Sequence, residues 1–392
     1  MAAQATHHQA VQDFLPVLEN WFGQDMALLY RNPPARKDGI LMGCPIFGEK
    51  YLARFEQYCL PSLMAPQNLA VLKGRARLVL YTDADSFIHL WSITRKLEGL
   101  GIEVQLPLIP PEVMAHFPRG LHPDDPRQLN KYWILGVAQN VLVQMAGRAG
   151  MAFHALHPDH VYAQAYFPNM DRLLKAGHDN LAQTGISANI QTAAAELEKY
   201  RLSTGELVIS DRNLGDLGWR HLHKQTRASL MNSADMENSL PHSHFLAWQG
   251  RDALHLYSCH MNAVHLSPAK CAAAGTRLPA TLDAELPSFM GQEFYVPTPE
   301  DGLTFIEVSD DTKEAEEGDV PFTEFARRWW LHVRFSDDWM KYSNTVCKVP
   351  IHEQDNFISD EEIEAQHEAL VSRLEAAKGD LAIAFIQKLG SA

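Results

Sequence analysis

The sequence predicts an α/β fold, a mixed and mainly parallel sheet flanked by helices. Short apolar runs of strand length alternate with longer segments whose apolar residues recur at helical spacing. From Ile40 to Tyr162 the order is β-α-β-α-β-loop-α-β. Successive strands joined through a helix run the same way, which makes the sheet largely parallel. With 392 residues, 46% of them hydrophobic, the chain can build one large core or two packed units.

Residues 8–31 read as an amphipathic helix carrying Val11, Phe14, Leu15, Val17, Leu18, Trp21 and Phe22, stopped by Asn32-Pro33-Pro34. The first strand covers Ile40 to Cys44, with a turn at Pro45 to Gly48. A helix from Glu49 to Tyr58 then brings Tyr51, Leu52, Phe55 and Tyr58 to one side. Gly43 and Gly48 would allow a ligand to approach the backbone closely. The stretch has no GxGxxG and no P-loop lysine, which argues against a dinucleotide-dependent dehydrogenase and a kinase. Arg77 to Tyr81 is the second strand, followed by Thr82-Asp83-Ala84-Asp85. Two carboxylates at that spacing can share a divalent metal. They also precede a helix from Phe87 to Leu97, and the helix cap is the favoured reading. Ile102 to Leu108 is the third strand, and the proline-rich segment from Pro110 to Gln128 reads as an irregular cover.

The most informative stretch is Asn130 to Tyr162. Tyr132 to Met145 is a buried helix that Gly147 and Gly150 break, and the run MAFHAL after it is a buried strand. HPDHVY follows at once. An acidic residue just past a strand lies at the crevice where open α/β sheets bind ligands, and this singles out Asp159. Pro158-Asp159 is also an ordinary turn signature.

Further on, Phe167 to Ala176 is helical up to Gly177. Asp179 to Ile190 reads as one strand, with Gln183, Thr184, Ser187 and Asn189 polar enough to line a pocket. Thr192 to Tyr200 is helical, and GELVIS leads into a helix bearing His221 and His223, which do not share a face. His255, His260 and His265 recur at intervals of five, and a metal ligand among them needs an acid nearby. Asp283 and Glu285 fall on one face of TLDAEL if it is extended. EFYVPTPEDGLTFIEV resembles an antiparallel pair joined by Pro-Glu-Asp-Gly, and Asp310 to Asp319 is an acidic solvated loop. The helix from Glu324 to Phe335 carries Arg327, Arg328, His332 and Arg334, a basic patch that could meet phosphate or form local ion pairs. Ser359 and Glu362 form a capping box for a helix from Asp360 to Leu389 that breaks at Gly379. The domain plan is an N-terminal helical extension over 1–35, an α/β domain over 36–350 with halves near 36–190 and 191–350, and a helical segment over 351–392.

A net charge of −14 without a long basic run argues against nucleic-acid binding. Five cysteines without a CxxC pair form neither a disulfide scaffold nor a thiolate metal site, which fits a reducing, cytoplasmic setting. No basic-then-apolar leader opens the chain, and no stretch of 18 uncharged apolar residues spans a membrane. The terminal helices point to a homodimer.

The parallel sheet, the acidic residue at 159 and the later His/Asp region together resemble the nucleotide-diphospho-sugar glycosyltransferases of GT-A type. More narrowly, FGEKYLARFEQYCLPSLMAPQNL, RLVLYTDADS, HPDHVYAQAYF, CHMNAVHLSP, TLDAEL and FIEVS look like a group of bacterial GT-A-like proteins. The resemblance implies a GT-A-like fold with added terminal helices, and a sugar moved from a nucleotide-diphospho-sugar to a glycan or small-molecule acceptor. It also implies a divalent metal, manganese or magnesium, held by an Asp-x-Asp motif after the fourth strand. Asp159 falls at the first motif position and Val161 at the second, where it cannot bind metal. His160, His260 or Asp283 would then complete the site, or the donor binds without metal, or catalysis is lost. Asp83-Ala84-Asp85 spells the motif but follows the second strand. The resemblance thus implies donor contacts at Gly43, Gly48, Asp83, Asp159, Arg327, Arg328 and Arg334, and metal contacts at Asp159, His260 and Asp283. Asp283 or Glu285 would be the base. Two other readings stand beside it: a non-catalytic GT-A-like scaffold in surface-polysaccharide biogenesis, and a metal-dependent hydrolase built on His255, His260, His265 and Asp283.

Overall fold

The computed structural model of the chain describes residues 16, 20–21, 39–115, 129–227, 230–231, 245–258, 262–274, 294–310, 326, 346–354 and 357–390. His260, Asp283, Glu285, Arg327, Arg328 and Arg334 lie outside the described residues, as do most of the segments 8–31 and 324–335. In chain order the strands are β1 (Ile40–Ile46), β2 (Ala76–Thr82), β3 (Glu103–Gln105), β4 (Ala152–Ala155), β5 (His160–Tyr162) and β6 (Leu181–Gln183), then β7 (Ile186–Asn189), β8 (Phe245–Gln249), β9 (Ala253–Ser258), β10 (Asn262–Leu266), β11 (Phe305–Ser309) and β12 (Val346–Pro350). The helices are α1 (Glu49–Arg54), α2 (Leu60–Leu63), α3 (Ala84–Gly99), α4 (Pro111–Ala115), α5 (Leu129–Ala149) and α6 (Tyr166–Lys175), then α7 (Ile190–Leu197), α8 (Asp211–Arg220), α9 (Lys224–Arg227), α10 (Pro268–Ala273) and α11 (Asp360–Gly390).

The chain forms two compact units, the first from residues 1–160, 167–182 and 262–295, the second from 161–166, 183–261 and 296–392. The sheet of the first unit has the order β3-β2-β1-β4-β10-β6. β1 pairs parallel with β2 and with β4, β2 pairs parallel with β3, and β10 runs antiparallel to β4. This is the mixed, mainly parallel sheet flanked by helices that the sequence predicts. All of β1 is buried, the pattern of a strand covered on both faces. The chain steps from β1 outward to β2 and β3, then returns through α5 to β4 on the other side of β1. Strand order therefore reverses between β1 and β4, and an open α/β sheet leaves a crevice at the carboxyl ends of two such strands.

Several boundaries differ from the expectation, each for a local reason. β1 continues through Pro45 to Ile46. Gly43 accepts from Leu156 on the β4 side (2.8 Å), so Pro45, two residues on, turns its missing N–H to the same side, where the β4 pairing has ended at Gly43. The helix after β1 runs on past Tyr58, because a π turn over Phe55–Cys59 joins α1 to α2. Leu60 donates its N–H to the carbonyl of Phe55, and Pro61 follows with no N–H of its own. β3 is shorter than expected, and after Pro107 only Leu108 bridges back to Thr82. The expected cover begins as a helix, α4, with Val113 buried. Gly147 does not break α5. It lies inside the helix, where an added Cβ would sit 2.7 Å from the backbone N of Ala272, so its bareness is what lets α10 pack there. Gly150, at φ 65°, is the residue that ends the helix.

In the second unit one sheet has the order β5-β11-β7 and the other β12-β9-β8. The strand expected over Asp179–Ile190 is two strands in different sheets, β6 and β7, separated at Thr184-Gly185. The ring of Phe305 fills the space a side chain at Gly185 would need. The antiparallel pair expected around Pro-Glu-Asp-Gly is absent among the described residues. Pro299–Asp301 is a 3₁₀ turn with a Thr298–Asp301 capping box, and β11 runs parallel to β7. Gly218 lets α8 approach Ile186 and Ile306 of that sheet. α11 continues through Gly379, and its Ile363, Leu370, Val371 and Leu374 pack with Leu246, Trp248 and Tyr257. Among the described residues no helix is long and apolar enough to cross a membrane.

Two helical glycines should respond oppositely to alanine. Gly99, at the end of α3 with open space around it, should gain up to ~1 kcal/mol as Gly99→Ala. Gly147→Ala should lose about 1–3 kcal/mol, because its Cβ meets rigid backbone and overpacking outweighs helix propensity. Urea unfolding midpoints of both variants check the pair.

Candidate functional site

Asp159 sits at the reversal point between β1 and β4. Leu156 continues the β4 ladder by donating to Gly43, and His157-Pro158-Asp159 then turns sharply, His160 donating its N–H to the His157 carbonyl (3.2 Å). The chain leaves the turn as β5. The Asp159 side chain is 13% exposed and lies 3.8 Å from the guanidinium of Arg54, which is 8% exposed. Burial pushes the Asp159 carboxyl up. Arg54, a backbone hydrogen bond and Lys50 pull it back. Arg54 is the last residue before the π turn, with its guanidinium 5.8 Å from the Tyr51 ring. The Cys44 and Cys59 thiols nearby are pushed up by burial and then by the neighbouring acidic groups, so both stay protonated at neutral pH. Cys59 donates its S–H to the His157 carbonyl at 3.4 Å.

Histidines surround the same strand end. His157 stacks on His160 with ring centroids 4.5 Å apart, and His154 lies 5.9 Å from His265 on the adjacent β10. Burial lowers His154, His160 and His265, the last to about 3. At neutral pH all three are neutral imidazoles.

Asp83 has different work. Its Oδ1 accepts from the Ser86 N–H at 2.7 Å, capping α3, and its Oδ2 accepts from the Gly48 N–H at 2.6 Å. Both carboxylate oxygens thus tie the loop after β1 to the start of α3. Gly48 itself is exposed, at φ 82°, with open space where a side chain would be. Gly43 is different: the space its side chain would take is filled by Leu142 and Phe153, which makes it a packing glycine.

Most of the remaining polar candidates have structural partners, but the buried Thr184 hydroxyl has none among the described residues. Gln183 donates to the Leu303 carbonyl, Ser187 donates to Glu307 at 2.9 Å, and Asn189 caps α7. Thr184 is buried. His221 meets Glu196 at 2.8 Å and His223 meets the Asp310 carbonyl at 3.0 Å. His255 lies 3.3 Å from Asp360, and burial lowers it to about 4. His255 and His265 stand in different sheets of different units. The residues that sequence reasoning missed are Lys50 and Arg54. They are four apart on the helix after β1, a spacing that puts two cations on one face, but the apolar side of that helix dominates its sequence pattern.

A divalent cation at Asp159 needs further oxygen or imidazole ligands. Val161 is fully buried and apolar, His160 is engaged with His157, and a guanidinium occupies the vicinity of the carboxylate. Among the described residues no group of three or more His, Cys, Asp or Glu is placed to hold a metal ion.

No family model matches the chain, and no curated protein matches it. Among solved structures, the chain matches S. aureus TarS 1-349 at 12% identity and TM-score 0.30, over 76% of this chain and 66% of that one. It matches the galactosyltransferase LgtC, solved with donor and acceptor sugar analogs, at 12% identity and TM-score 0.27, over 87% and 95%. It matches mouse xyloside xylosyltransferase 1 at 13% identity and TM-score 0.22, over 42% and 60%.

Asp83→Ala should cost about 1–2 kcal/mol by uncapping α3 and orphaning the Gly48 amide, whereas the exposed Asp85→Ala should change little; urea midpoints decide. The buried histidines set an acid limit. Their folded pKa values lie below the unfolded value of about 6.5, so they cost nothing above that pH, and stability falls as pH drops from about 6.5 toward 3. Each contributes a slope of up to ~1.4 kcal/mol per pH unit, and His265→Leu should flatten the profile between pH 6.5 and 5.

Proposed function

We propose that the chain is a glycosyltransferase that binds a nucleotide-diphospho-sugar at the carboxyl ends of β1, β2 and β4 and moves its sugar to an acceptor hydroxyl. The observation that carries the reading is the place of Asp159, on the turn after β4 where strand order reverses about β1. The GT-A-type resemblance of HPDHVYAQAYF and RLVLYTDADS supports it from the sequence side. Gly48, bare and exposed, leaves the backbone after β1 open to a ligand, and Asp83 holds that loop in place.

In the reaction the acceptor oxygen forms a bond to the anomeric carbon as the bond from that carbon to the diphosphate oxygen breaks. The electron pair leaves with the nucleoside diphosphate, and the acceptor proton passes to a base. Negative charge therefore grows on the diphosphate, and fixed positive groups nearby stabilise the transition state. Asp159 orients the donor. The base falls to Asp283 or Glu285 in this reading, and the patch Arg327, Arg328 and Arg334 is a second source of positive charge for the diphosphate. Val161, buried and without a ligating atom, favours one other reading, a site of the same shape that binds its nucleotide without turnover.

Thermal-shift titrations with UDP-, GDP-, CDP- and dTDP-sugars should show saturable stabilisation by one base, lost in Asp159→Asn and kept in Asp85→Ala. Release of nucleoside diphosphate with a panel of sugar acceptors then separates transfer from binding alone. If no nucleotide sugar stabilises the chain with or without manganese, the transferase reading fails.

A further inference from the structure

The divalent cation that the GT-A-type resemblance implies does not fit the described residues around Asp159, and the mismatch has a specific form. The position expected to supply the second carboxylate is Val161, 0% exposed. The first carboxylate has a guanidinium beside it, Arg54 lying 3.8 Å from Asp159. Lys50 lies one helical turn before Arg54 on the same face of the segment after β1, and its charge also acts on Asp159. Lys50 is exposed and Arg54 is buried. Lys50 follows Gly48 by two residues, and the space above Gly48 is open. One carboxylate thus feels the charge of two cations, one of them in close approach, and only the other, Lys50, is exposed.

We propose that Lys50 and Arg54 carry the positive charge for the donor's diphosphate at this site in place of a divalent cation. The inference rests on the transferase reading of the same crevice and deepens it. Arg54 is the positioning residue: it holds Asp159 at the reversal point and offsets its burial. Lys50 is the group that meets phosphate. A lysine ammonium is a compact point charge on a flexible stem, suited to a phosphate arriving from solvent. With one protein cation and no metal in contact, binding should weaken as salt is raised.

The probes are UDP, GDP, CDP and dTDP themselves, titrated calorimetrically into the full chain in EDTA and again in manganese. One nucleoside diphosphate should bind in EDTA, with its affinity changed less than twofold by manganese and lowered at least tenfold in Lys50→Met. Lys50 is exposed, so Lys50→Met should unfold at the wild-type temperature, and Lys50→Arg should recover most of the affinity. In Arg54→Lys the pH profile of binding should move as the Asp159 carboxyl loses its guanidinium, a change that loss of packing alone would not produce. Binding that requires manganese, or affinity unchanged in Lys50→Met, overturns the inference while the transferase reading stands. If none of the four binds in either buffer, both readings fall together.

Discussion

The first unit depends on one constraint, the pairing of β1 with parallel strands on both of its edges. A strand held that way has no free edge and no solvent face, which is why ILMGCPI is apolar without alternation and buried throughout. It also has a direction, and the loops at its carboxyl end lie beside those of β2 and β4. Gly48, Asp83 and Asp159 come from segments far apart in sequence, yet all three lie within four residues of the carboxyl ends of three adjacent strands. The Gly48–Asp83 hydrogen bond, at 2.6 Å, joins two of those loops directly. The candidate site is a consequence of the register before it is a consequence of any single side chain.

The energetics of the Arg54–Asp159 pair are instructive. At 3.8 Å and an effective dielectric of about 20, the attraction is ~4 kcal/mol. Withdrawing each ion from water costs several kcal/mol, so the pair is close to neutral for stability. An apolar pair of similar volume would serve the fold as well. The surroundings are apolar enough for burial to raise the thiols of Cys44 and Cys59 and to push the Asp159 carboxyl up. Stability alone therefore does not account for a charge pair set among such groups, beside a π turn and at a strand-order reversal, whereas the proposed donor site does.

Much of this was legible in the sequence, for identifiable reasons. The parallel strands could be read because burial on both faces writes itself as unbroken apolar runs, and the α3 cap because Thr82-Asp83 precedes a periodic segment. The division of Asp179–Ile190 into two strands of different sheets could not be read, since both halves have strand composition and the change turns on Gly185 yielding its space to Phe305. Gly147 and Gly150 look equivalent in sequence, yet one admits a neighbouring backbone and the other ends a helix at positive φ. Asp159 could be singled out, but Arg54 could not, because a cation inside an amphipathic stretch shows its purpose only when a long-range partner arrives opposite it. The order from Ile40 to Tyr162 thus located the strand-order reversal, while the charge pair beside it came from tertiary structure.

Asp83 and Asp159 show how the role of a carboxylate is decided. Both follow parallel strands, and Asp83 has the more suggestive sequence around it. The two oxygens of Asp83, however, accept backbone N–H groups from Ser86 and Gly48, which spends their strongest acceptor directions on neutral donors that hold a loop. Asp159 has a guanidinium beside it instead, Arg54 at 3.8 Å, which brings the full charge that a backbone amide does not. Asp83 thus supports the loop after β1, and Asp159 keeps the charge partner that the proposed donor site requires.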